Sequence, residues 1–160
     1  MKLIKVKIMK KILIALLVVL VVLQFFQIDK TNPETDINQD FLTIHETPTE
    51  IASTMKAACY DCHSNQSAYP WYTNIQPVGW FVKNHIEDGK KHLNFSEFGT
   101  YTAKKQAHKL EECGEMIEKG EMPLSSYTII HKEAVLTEAQ QTELITYFKE
   151  IENKINNRVQ

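Results

Sequence analysis

The chain has 160 residues with five glycines, five prolines and three cysteines, a length that suits one ordinary domain once a hydrophobic N-terminal stretch is set aside. All twenty acidic residues follow that stretch, so residues 29–160 carry thirteen Lys and Arg against twenty Asp and Glu, net −7. Such a surface repels phosphate backbones, which excludes nucleic-acid binding and favours a protein partner with a basic docking face.

Sparse Gly and Pro, with Leu, Ile, Ala, Lys and Glu mixed at helical spacing, predict an all-α fold. Lys2, Lys5, Lys7, Lys10 and Lys11 precede the apolar run Ile12 to Phe26, the charge order of a secretory signal or signal-anchor. No small-residue cleavage pattern follows, so residues 1–28 are expected to stay as a single-pass transmembrane anchor, short at about 17 residues from Ile12 to Ile28. That places the remainder on the outer, periplasmic side of a bacterial inner membrane.

Residues 29–47, with Thr31, Asn32, Pro33, Asp36, Asn38 and Asp40, have turn-forming composition and read as a linker whose one apolar cluster, Phe41, Leu42 and Ile44, docks on a domain of residues 48–160. A helix opens near Thr47 or Thr49, with Ile51, Met55 and Ala58 on one face, and runs into Cys59. After His63 a polar and aromatic loop precedes Pro77, which opens a helix from about Val78 to Asp88 with the apolar face Val78, Phe81, Val82 and Ile86, stopped by Gly89. The next helix spans Thr102 to Lys119 and stops at Gly120. Residues 121–135 read as irregular, and a capping box at Thr137 to Gln140 starts the last helix, with the stripe Leu144, Ile145, Phe148 and Ile151.

Cys59-Tyr60-Asp61-Cys62-His63 carries the chemistry. Two thiols on one helical turn can each form a thioether to a haem vinyl group, and the adjacent imidazole then meets the iron as proximal ligand. Cys59 and Cys62 are therefore expected to attach one haem c covalently. Three other readings of a CxxC pair compete. A thioredoxin-like dithiol needs a βαβ context, which is missing; a structural zinc site needs four ligands, and no second paired motif is present; the third is a plain disulfide.

Met122 is the leading sixth ligand, because a thioether suits haem iron and Pro123 fixes a Gly-Glu-Met-Pro turn between two helices. Met55 and Met116 fall on helical stripes and read as core. Among His85, His92, His108 and His131, the last is the best rival, since it shares Met122's segment. Trp71 and Trp80, within the aromatic run around Tyr69, Pro70, Tyr72 and Phe81, either wall the haem or pack ordinarily. Cys113 has no mate and reads as a buried thiol; Glu111, Glu112, Glu115 and Glu118 form a solvated helix face.

With these residues the chain resembles the small mono-haem class I cytochromes c, in which a helix leading into CxxCH packs against a C-terminal helix and a loop Met completes the iron site. More narrowly, CYDCHSNQSAYPWYTNIQPVGWFVKNHIEDGKKHLNFSEF is similar to the bacterial haem-binding domain family that carries CxxCH and a later Met-Pro. The resemblance implies a small cytochrome c-like helical domain, with Cys59 and Cys62 as attachment residues, His63 as proximal and Met122 as distal ligand.

The expected function is one-electron transfer by a membrane-anchored haem protein, with a redox protein as partner and no enzymatic activity, because an iron with both axial positions filled has no place for substrate. The competing classes are a haem-based sensor of small ligands and a peroxidase-like enzyme with an open distal side.

Overall fold

The computed structural model describes the backbone of residues 2–159 and the side chains of residues 5–158, so the side chain of Lys2 lies outside the described residues. The fold is all-helical, and no strand occurs among the described residues. The chain divides into two units, one of residues 1–31 and 68–85 and the other of residues 32–67 and 86–160.

The first unit holds helix α1 (Lys2–Leu23), a 3-10 turn (Trp71–Asn74) and the start of the helix that follows Pro77. Its apolar side chains from Ile12 to Val22 are exposed on every face. The expected transmembrane span is not found: no helix among the described residues is long and apolar enough to cross a membrane. The cause is length. Lys11 is the last charge and α1 ends at Leu23, so the apolar helix is about 18 Å long at 1.5 Å per residue, against about 30 Å of hydrocarbon.

The second unit contains α2 (Phe41–Ile44), α3 (Thr49–Met55), a π-helical turn (Lys56–Tyr60) and α4 (Asp61–His63) in its first half. Its second half begins within α5 (Val78–His92) and continues through a 3-10 turn (Phe95–Thr100), α6 (Ala103–Glu118), α7 (Ser125–Thr128), a 3-10 turn (Lys132–Ala134) and α8 (Glu138–Val159). Helices α6 and α8 lie along each other and supply Ala107, Leu110 and Ile117 on one side and Leu144, Phe148, Ile151 and Ile155 on the other, at the three- and four-residue spacing of one helix face.

The caps follow the sequence. Thr102 accepts from the Lys105 N–H at 3.3 Å, and Gly120 takes φ +68° just past α6. At α8 the Gln140 N–H donates to Thr137 Oγ1 (3.3 Å), and Thr137 N–H donates back to Gln140 Oε1 (3.0 Å).

Phe41, expected to dock on the domain from the linker, is fully buried, whereas Ile44 of the same cluster stays exposed. The Phe41 ring meets Phe98 at 5.0 Å and Phe95 at 5.4 Å in edge-on arrangements, so the packed unit starts upstream of residue 48. The buried Asp40 caps α2 by accepting from the Leu42 N–H (2.9 Å) and takes the Tyr60 hydroxyl at 3.0 Å.

One expectation about α5 needs correcting. Gly89 does not end it, and the helix continues to His92. Of its apolar face, Ile86 is enclosed, whereas Val78 and Phe81 are exposed. Residues 121–135, expected to be irregular, contain two short helical turns.

Candidate haem site

Helix α3 leads into the motif through the π-helical turn Lys56–Tyr60, where the backbone is wider than in an α-helix and Cys59 lies on the widened turn. Cys59, Cys62 and His63 thus share one short stretch of helix. The thiols are free, as is that of Cys113. Burial, reinforced by the neighbouring Cys62, pushes the Cys59 thiol up to about 12; burial and the Asp61 charge push Cys62 up to about 11. Burial also raises the Cys113 thiol, which packs against the same core as Cys59, as expected of a mateless cysteine on an apolar stripe.

His63 is held from behind. Its Nδ1 lies 3.1 Å from the Gly89 carbonyl and 3.1 Å from the Leu93 carbonyl. A carbonyl can only accept, so Nδ1 must carry the proton and the Nε2 lone pair faces away from both. Burial lowers the imidazole pKa, against the opposing pull of the Leu93 and Gly89 carbonyls, which keeps the ring neutral and able to bind a metal. Phe95 meets the ring edge-on at 6.4 Å and stacks on Tyr60 at 5.5 Å, with only 3° between the planes.

The role of Gly89 becomes clear here. A Cβ at that position would sit 2.6 Å from the Cys62 carbonyl oxygen and 3.2 Å from its carbon. The glycine inside α5 lets the two backbones touch, and that contact brings the Gly89 and Leu93 carbonyls to His63. Beyond His63 the chain is pinned by a buried polar set. Ser64 Oγ donates to the Tyr60 carbonyl (2.7 Å), the Asn65 N–H donates to Ser96 Oγ (3.1 Å), and Asn94 Nδ2 donates to Asn65 Oδ1 (2.9 Å). Sequence reasoning passed over all of these. The mid-helix Gly89 was the one available signal for the contact.

Met122 lies half-buried in the turn after α6, with its N–H donated to the Met116 carbonyl at 3.2 Å. Its segment is tied to the motif by Tyr127, whose hydroxyl donates to Asp61 Oδ2 at 2.7 Å. His131 stacks on Tyr127 at 4.2 Å and engages Glu133 through Nδ1 at 3.0 Å. Met55 is fully buried in the core, and Met116 is partly buried. Trp71 and Trp80 belong to the first unit. There Trp71 is 74% exposed, and the Trp80 indole N–H donates to the Phe26 carbonyl at 2.9 Å.

The donor set fits a haem: two thiols on a helical turn, a neutral imidazole with its rear nitrogen fixed, and a thioether on a segment hydrogen-bonded to that turn. The zinc reading gains no support, since among the described residues no three His, Cys, Asp or Glu side chains converge as metal ligands do. No curated protein and no solved structure matches the chain. The family model described as a haem-binding domain matches residues 18–150, and by that match the chain belongs to the haem-binding domain family.

Proposed function

We propose that this haem-binding protein carries a single haem c, attached through Cys59 and Cys62, ligated by His63 Nε2 and Met122 Sδ, and used as a one-electron carrier outside the cytoplasm. The observation that supports it best is the double carbonyl contact on His63 Nδ1. That contact fixes the tautomer that presents Nε2 to iron, beside two thiols on the same turn. The haem supplies the Fe(III)/Fe(II) couple; the chain supplies the axial donors, a dry setting and a docking surface.

Thioether attachment suits a small domain, because a covalently held cofactor does not depend on a complete pocket for retention. The acidic character of residues 29–160 favours a redox partner with a basic face. Helix α1, with lysines before its apolar stretch, tethers the domain to the outer face of a bacterial inner membrane. With both axial positions filled there is no site for a substrate, so the protein works as a carrier and not as an enzyme.

Carbon monoxide tests this role. The reduced protein is expected to bind it slowly or not at all, with Met122→Ala binding it fast. Rapid binding by the unsubstituted protein would instead indicate a sensor or a peroxidase-like enzyme.

A further inference from the structure

The first unit has a charge and a surface unlike the rest of the chain. Residues 1–31 and 68–85 carry seven lysines and one acid, Asp29, net +6; residues 32–67 and 86–160 carry eleven Lys and Arg against nineteen acids, net −8. Within the first unit the chain from Gln24 to Lys30 is tied to residues 74–80. Gln24 Nε2 donates to the Gln76 carbonyl (3.0 Å) while its Oε1 accepts the Gln76 N–H (2.9 Å). Gln27 Nε2 donates to the Asn74 carbonyl (3.2 Å), Lys30 to Asn74 Oδ1, and the Trp80 indole to the Phe26 carbonyl. Gly79 closes the arrangement, since a Cβ there would run into the Thr73 carbonyl and the Gln76 side chain.

These bonds pair the polar groups, including Gln24, the one amide in the apolar stretch from Ile12 to Phe26. Gln27, Asp29 and Asn74 keep an exposed edge, while the large exposed side chains are apolar. Phe25, Phe26, Trp71, Ile75, Val78 and Phe81 are all exposed. They continue the exposed apolar surface of α1 beyond its end at Leu23, where the helix alone falls short of a bilayer. Five of the seven lysines precede the apolar stretch of α1; next to the collar stand Lys30 and Lys83 against Asp29, and its exposed aromatic and aliphatic side chains match the boundary between acyl chains and headgroups.

We propose that this collar, residues 24–30 with 71–81, is a membrane-interface element that seats in the headgroup region of a lipid bilayer and completes the attachment begun by α1. This rests on the tethering role given to α1 above. It assigns Trp71 and Trp80 to a lipid boundary and not to a haem wall.

The test uses the full-length holoprotein in vesicles of phosphatidylcholine and phosphatidylglycerol that contain a phosphatidylcholine with a photoactivatable acyl chain, with labelled residues mapped by mass spectrometry. Label on α1 and on Trp71, Ile75 or Phe81 is expected. The triple variant Trp71→Ser, Ile75→Ser, Phe81→Ser changes only exposed side chains; it should keep the haem spectrum and lose the collar label, with vesicle affinity falling on the order of tenfold or more. Label on α1 alone overturns the proposal, leaves the tether standing and points to a protein as the occupant of the aromatic face. Label on neither overturns the tether as well.

Discussion

Gly89→Ala is the substitution in which the structure most clearly opposes local propensity. In a helix interior the change from Gly to Ala is worth about 1 kcal/mol in favour of folding. At residue 89 the new Cβ would lie 2.6 Å from a backbone oxygen and 3.2 Å from a backbone carbon of Cys62, atoms that cannot rotate aside as a flexible side chain would. Separating α5 from the motif turn costs about 1–3 kcal/mol as overpacking, and pulling the Gly89 carbonyl from His63 Nδ1 costs about 1 kcal/mol more. The balance is a loss of about 1–3 kcal/mol. Gly114→Ala is the internal control. Its Cβ would meet nothing closer than Ile145 Cγ2 at 4.0 Å, so it should gain the propensity in full, about 1 kcal/mol. Guanidinium unfolding of the haem-loaded protein, followed by circular dichroism and by the Soret band, reads both. The midpoint should move down by roughly 0.5 M in Gly89→Ala and up by a smaller amount in Gly114→Ala. A Gly89→Ala protein as stable as Gly114→Ala, with an unchanged Soret band, would refute the close backbone contact behind His63.

Met122→Ala should abolish the weak near-infrared absorption of a methionine-ligated ferric haem, and a band that persists would remove Met122 from the iron. Tyr127→Phe deletes a hydrogen bond to the Asp61 carboxylate and should cost about 1.5–3 kcal/mol in guanidinium unfolding, with the Met122 segment exchanging amide hydrogens faster. Phe41→Ala should cost about 3–5 kcal/mol because Phe41 fills the centre of the core. His45 is pushed down to about 4, chiefly by burial and then by Arg158 and Lys154. The unfolded chain therefore takes up a proton near the ordinary value of 6.5 that the folded chain resists until about 4, so stability is full above pH 6.5 and is lost as pH falls between those values. His45→Phe, which also removes a buried Nε2 without a hydrogen-bond partner, should flatten that part of the stability curve.

Several features were legible because each is written in neighbouring residues. The capping box at Thr137 and Gln140, the cap at Thr102, the stop at Gly120 and the shared turn of Cys59, Cys62 and His63 all follow from local chemistry. Met55 could be placed in the core from its helical stripe alone. What escaped depends on pairs distant in sequence. Gly89 looks like a helix stop until Cys62, 27 residues earlier, is brought against it. Phe41 was expected to dock from the linker, but that Phe95, Phe98 and Phe148 surround it was not legible. The tie between Tyr127 and Asp61 spans 66 residues. On α5, periodicity reports that Val78 and Phe81 share an apolar side, and it cannot report that protein leaves that side uncovered.

In the proposed function, Cys59 and Cys62 hold the cofactor by covalent bonds. The most direct measurement is the intact mass of the full chain, produced in a host able to mature c-type cytochromes and then unfolded in acidic acetone. A coloured polypeptide heavier than its sequence by one haem is expected, and a chain without bound haem when both cysteines are changed to serine. A polypeptide at its bare sequence mass, with the colour left in the solvent, would contradict covalent attachment.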